Sequence, residues 1–148
     1  MTSTEPTMLR LEDHCTTLAH GTGPEEAIGV GIRDIAERHF RHEPPTSLEM
    51  EQAIDVVEDA LAATGLRHAA RGELLSSDPR LHALLGLTVD GARLAREDVE
   101  DRFQRLASAT LGLGAVADRS VGRDAAAALL ILRECMHHLG YEAVRRVR

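Results

Sequence analysis

The stretch AAAALLILRECMHHLG, residues 125–140, decides how this chain is read. Ala125–Leu132 is wholly apolar, and an acid, a thiol and two histidines follow within five residues, Glu134 to His138. The pattern predicts a long helix over about 119–139 that is apolar nearly all round, ended by Gly140, a residue suited to a left-handed cap. Such a helix sits at the centre of a fold or is shared with another subunit. It is too short in apolar length to span a bilayer.

Working outward, REDVEDRFQRLASATLG (96–112) shows helical spacing at Val99, Phe103 and Leu106, with acids in its first turn where the helix dipole favours them. Thr46 and Glu49 form a capping-box pair opening a helix to about Thr64, with Met50, Ile54, Val57 and Leu61 inward and Gly65 as its stop. SSDPRLHALLG (76–86) carries a cap and a first-turn proline, so a short helix is expected. Thr22, Pro24 and Glu25 read as the start of a helix over about 24–42, halted by EPPT (43–46). MLRLEDHCTTLAH (8–20) reads as a short helix with Met8, Leu11, Cys15 and Leu18 on one face. GLGAVADRS (112–120) reads as a linker, and YEAVRRVR (141–148) as a basic tail. Asp90-Gly91 between alternating apolar residues is a hairpin signal near 85–95. The expected architecture is all-α: a flexible tail over 1–7, then one domain over 8–148, a bundle of about five to six helices with at most one small β-hairpin.

Composition narrows the chemistry. The chain has 148 residues, a formal net charge of −7, no Trp and 2% aromatic residues. Base-stacking platforms are scarce, and general attraction to nucleic acid is unfavourable. All 17 formal cations are arginine. The absence of lysine removes the P-loop lysine and any Schiff-base mechanism. Cys15 and Cys135 stand outside any C-x-x-C arrangement, and no secretory pattern opens the sequence, so a reducing, cytoplasmic setting is expected.

Four local patterns are candidates for chemistry. Glu134 and His137 have the E-x-x-H spacing of carboxylate-bridged metal bundles, which makes them candidate ligands for iron, manganese or zinc. The set is incomplete, because no second E-x-x-H occurs, and a helix end with histidines meeting the dipole explains the same letters. RHFRHE (38–43) offers His39, His42 and Glu43, yet its cations also suit a helix C-terminus. HGTGPEEAIGVG (20–31) has the glycines of a phosphate cradle without its lysine, and Glu25 and Glu26 oppose an anion. DALAATGLRHAARGELL (59–75) has a helix-turn-helix outline, with Arg67, His68 and Arg71 toward a groove, broken by Gly72. Cys135 lies on the buried stripe and reads as an inert thiol.

These observations favour a non-enzymatic helical accessory or interaction protein, partnered with itself as a homodimer or with another protein, without a cofactor and without a membrane or nucleic-acid partner. The alternatives are a metal-binding helical bundle, perhaps an oxidoreductase, and a helix-turn-helix DNA-binding regulator. An enzyme site assembled in space from scattered Arg, Asp and His residues leaves no local signature.

Overall fold

The computed structural model describes residues 5–113 and 121–148. It is not all-α. A six-stranded mixed sheet forms the base: β1 (Thr7–Leu11), β2 (Thr16–His20), β3 (Glu25–Ile28), β4 (Arg71–Ser76), β5 (Arg93–Ala95) and β6 (Tyr141–Arg146). Their spatial order is β3-β2-β1-β4-β6-β5. β1 to β3 form an antiparallel meander, β1, β4 and β6 run parallel, and β5 closes the edge antiparallel to β6.

Among the described residues five helices accompany the sheet: α1 (Ile32–Arg38), α2 (Ser47–Ala63), α3 (Pro79–Leu85), α4 (Arg96–Thr110) and α5 (Arg123–Leu139). All four shorter or flanking helices pack on α5. Ala126 to Leu132 are each at most 1% exposed. Their small and branched side chains let α1, α3 and α4 approach closely and join the Leu9, Leu18, Leu74 and Val144 side chains of the sheet in one continuous core. The opposite face of the sheet carries Arg10, Glu73, Arg93 and Arg145, with Glu73 bridging both Arg93 and Arg145 at 2.9–3.0 Å.

Several expected helix signals hold. Thr46 caps α2, accepting from the Glu49 amide while Glu49 accepts from the Thr46 amide. Asp78 caps α3, Pro79 opens it and Gly86 ends it in the left-handed region. Val99, Phe103 and Leu106 are buried on α4. The apolar helix lies at the centre of its own chain, the first of the two placements such a helix can take.

The helix expected over 8–20 is instead the β1–β2 hairpin. Leu9, Leu11, Thr16 and Leu18 face inward with the two-residue period of strands, and Glu12–Cys15 form the turn, closed by the Glu12 amide on the Cys15 carbonyl at 3.0 Å. The 24–42 helix is shortened: Glu25–Ile28 pair with β2, and helix begins only at Ile32. No separate hairpin forms near 85–95. Gly91 does turn the chain at φ +87°, but Arg93–Ala95 pair with β6 across the sequence. The basic tail is strand β6, with Tyr141, Ala143 and Val144 buried. Residues 114–120 of the expected linker and 1–4 of the expected tail lie outside the described residues, while Thr7 already belongs to β1. Among the described residues no helix is long and apolar enough to cross a membrane.

The α5–β6 junction turns on Gly140, at φ +88°, where an added Cβ would strike the Ala69 carbonyl. Gly65 is also left-handed, at φ +75°, but with open space around it. Gly140→Ala is therefore expected to destabilise the fold by at least about 2 kcal/mol, and Gly65→Ala by about 1 kcal/mol, in urea unfolding. Equal losses would show that the Ala69 contact relaxes freely.

Candidate functional site

The direction of the chain changes between β1 and β4. β1 hands on to β2 on one side, whereas β4 leads through α3, β5, α4 and α5 to β6 on the other. In open sheets of this kind the crevice outside the carboxyl ends of such strands is the customary binding place. Here α1, α3 and α5 all start at that edge, and each start carries an arginine and an aspartate: Arg33 with Asp34, Asp78 with Arg80, Arg123 with Asp124.

The edge is built by interlocking backbone. The Ile32 and Arg33 amides donate to the Glu12 and Asp13 carbonyls at 2.9 Å, so α1 is seated on the β1–β2 turn. Gly31 lies so close to the Glu12 carbonyl and the Asp13 backbone that it has no room for a side chain. The charges are matched in pairs. Arg33 lies 3.3 Å from Asp13, Arg80 donates through two nitrogens to Asp78 at 2.8 and 3.1 Å, and Arg123 donates to Glu43 at 3.3 Å. Burial pushes the Asp78 carboxyl up, but the side-chain and backbone hydrogen bonds from Arg80 outweigh it and hold Asp78 below its ordinary range. Its stabilising contribution is present above the ordinary carboxylate range and fades as pH falls through the lowered value. A groove of about 660 Å³ opens here, lined by Glu37, Glu43, Arg80, Arg123 and Asp124. Its lining presents arginine forks and carboxylates within one concavity, the groups needed to grip a phosphate and orient a water.

The structure separates the E-x-x-H pair. Around a helix, positions three apart diverge by about 60° one way and positions four apart by about 40° the other. Glu134 is fully buried and meets His138, with Oε2 2.9 Å from Nε2, and not His137. His137 is exposed and lines a different groove between α4 and α5 with Arg96 and Glu100. Glu58, on α2, joins this pair through His138 Nε2 at 3.3 Å. The i,i+4 spacing already paired Glu134 with His138, and Glu58 was, with Glu51 and Glu100, one of three glutamates able to supply a further carboxylate; the sequence did not choose among the three. The outer acidic face of α2 was the available signal.

The other candidates disperse into structure. His42 pairs with Glu49 at 3.2 Å, and Glu43 accepts the Arg123 amide at the start of α5, so RHFRHE does not converge on one ion. Gly21 and Gly23 belong to the β2–β3 turn, not to a helix start. The helix-turn-helix fails because its second helix is strand β4, hydrogen-bonded on both sides. Within it, Arg71 Nε donates to the Leu139 carbonyl at 2.8 Å and its guanidinium lies over the Tyr141 ring.

No protein-family model matches the sequence, and no curated protein matches it. The fold, an open mixed sheet under helices, does match solved enzymes. The PPX-GPPA enzyme of Aquifex aeolicus superposes with a TM-score of 0.70 at 15% identity, over 96% of this chain and 52% of that one. The type II variant of the Aquifex aeolicus Ppx/GppA phosphatase gives a TM-score of 0.73 at 15% identity, over 97% and 53%. An exopolyphosphatase from Cytophaga hutchinsonii gives 0.66 at 11% identity, over 99% and 54%. This chain thus has the Ppx/GppA phosphatase fold and spans about half the length of the structures it matches. That finding overturns the helical accessory protein, the metal-binding helical bundle and the helix-turn-helix regulator alike, since each rested on an all-α architecture.

The two thiols differ sharply. Burial pushes Cys135 up to about 12, whereas Cys15, in the β1–β2 turn, is raised mainly by its hydrogen bond to Glu12 and is partly open to solvent. An excess of a small disulfide reagent at mildly alkaline pH is expected to label one thiol per native chain and two in denaturant, with Cys15→Ser abolishing the native reaction. Labelling of Cys135 in the native chain would mean that α5 opens readily.

Proposed function

We propose that this chain is a phosphate-handling lobe of an exopolyphosphatase-like enzyme, binding linear polyphosphate along the groove at the carboxyl ends of β1 and β4. The observation that carries this reading is the fold shared with Ppx/GppA phosphatases over nearly the whole chain, with a TM-score of 0.73. The chemistry of the edge supports it. Polyphosphate is a regularly spaced anion, and Arg80 and Arg123 offer planar forks matched to phosphate oxygens in a chain with no lysine. The start of α5 adds its partial positive charge in the same place, whereas that of α3 is already capped by Asp78. Binding exchanges the carboxylate partners of these arginines for phosphate oxygens, so affinity is moderate and falls steeply with salt.

In the proposed reaction a water attacks the terminal phosphorus, the phosphoanhydride P–O bond breaks, and orthophosphate leaves the shortened chain. Phosphoryl transfer of this type depends chiefly on positioning and charge stabilisation. Asp124 is the carboxylate placed in the groove to orient that water. In this reading a partner, a second copy or another protein, covers the open side of the groove.

The test is titration of the full chain with polyphosphate of defined length at low salt, with orthophosphate release followed in parallel with magnesium present. Micromolar binding is expected, weakened about tenfold or more by Arg80→Ala or Arg123→Ala, consistent with loss of one charge-assisted contact of about 1.5–3 kcal/mol. Absence of binding at low salt, or binding indifferent to both substitutions, would sink the proposal.

A further inference from the structure

At the other end of α5, far along the helix from the groove, three side chains from two helices converge: Glu58 from α2, and Glu134 and His138 from α5. We propose that they form a divalent cation site of the zinc type, which clips α2 to α5. One ligand atom from each residue lies within 4.8 Å of the other two.

The hydrogen bonding shows why a cation suits the position. Glu134 has no exposed side-chain surface, and its Oε1 accepts from Arg133 Nη1 at 2.7 Å. Its Oε2 is buried without a hydrogen bond, although His138 Nε2 is only 2.9 Å away. The single proton that Nε2 can carry is directed instead to Glu58 Oε1, at 3.3 Å. Two carboxylate oxygens therefore face one imidazole nitrogen that can satisfy only one of them. A buried carboxylate oxygen left in this state is costly. Charge points the same way. Arg133 is shared between Glu134 and Glu100, at 2.7 Å from each, so one guanidinium serves two carboxylates, with Glu58 a third beside His138.

Geometry agrees as well. A tetrahedral ion with ligands at about 2.0–2.1 Å holds neighbouring ligand atoms about 3.3–3.4 Å apart. The two separations from His138 Nε2, 2.9 and 3.3 Å, are within a few tenths of an ångström of that value, and the two carboxylate oxygens, within 4.8 Å of each other, close to it by side-chain rotation of the half-exposed Glu58. Two carboxylates with one imidazole is a donor set for zinc or manganese rather than for calcium or magnesium. The Arg133–Glu134 bond orients the buried carboxylate from behind, as outer partners of metal ligands do. His138 and Glu58 are 38% and 42% exposed, which leaves an entry path and a place for a water as fourth ligand.

The experiment is calorimetric titration of untagged, chelator-treated full chain with zinc alone, followed by thermal unfolding. One zinc per chain is expected, with the midpoint raised by about 5–10 °C at a hundredfold excess over the dissociation constant. Cobalt in place of zinc is expected to give the visible absorption of a four-coordinate ion. Glu58→Gln and His138→Ala should each weaken binding tenfold or more, while His137→Ala leaves it unchanged. Glu58 and His138 are partly exposed, so their variants decide the matter even if Glu134→Gln does not fold. No zinc uptake by the wild-type chain at about 100 µM, or equal affinity in the Glu58→Gln and His138→Ala variants, would overturn the assignment.

Discussion

Helix α5 has almost no solvent-facing side between Ala126 and Leu132, and the other elements are arranged by the need to cover it. The sheet supplies one wall, through Leu9, Leu74 and Val144, and α1, α2, α3 and α4 supply the rest. Truncating one leucine in such a helix costs about 2–5 kcal/mol, a large share of the stability of a domain this size. Alanine serves a second purpose here. It allows neighbouring helices to approach α5 closely, which fixes where their ends lie and so where Arg80 and Arg123 meet at the sheet edge.

The two ends of α5 do different things with charge. At its start, Arg123 with Glu43 and Arg33 with Asp13 lie in half-exposed pairs whose partners can be exchanged at little cost, while Asp78 under Arg80 is more enclosed. At its end, Glu134 is fully buried, and its carboxylate takes a hydrogen bond from the Arg133 guanidinium on one oxygen while the other has none. One helix thus links a wet, exchangeable set of charges to a dry and constrained one.

What was legible in the sequence follows the length of each element. α2, α3, α4 and α5 carry caps, stops and apolar stripes within their own residues, and local reading finds them. The strands are three to six residues long, too short to distinguish two periods. Met8, Leu11, Cys15 and Leu18 fit a helical stripe by coincidence, while the true inward set alternates through Leu9 and Leu11. In β4, Arg71 and Gly72 disguise a strand whose partners are distant in sequence. β6 looked like a tail because its two last arginines reach past the core to Glu73 and Asp90. The site was half legible for the same reason. Glu134 is conspicuous among apolar neighbours, but its partner Glu58 comes from another helix, and spacing along one helix says nothing of that. The arginine-aspartate pairs at three helix starts carry no signal in the sequence, and only the sheet order places them on one edge.

The position of β6 has a consequence for how the chain is made. It follows all the other strands in sequence, yet lies inside the sheet, hydrogen-bonded to β4 on one side and β5 on the other. Until residues 141–146 have left the ribosome, β4 has an open edge and β5 has no neighbour at all. The growing polypeptide therefore has its hairpin and its helices available early, but no route to a closed sheet. During that interval the row of unpaired β4 amides and carbonyls is a template for foreign strands. In the nascent chain that edge is covered only once β6 inserts between β4 and β5.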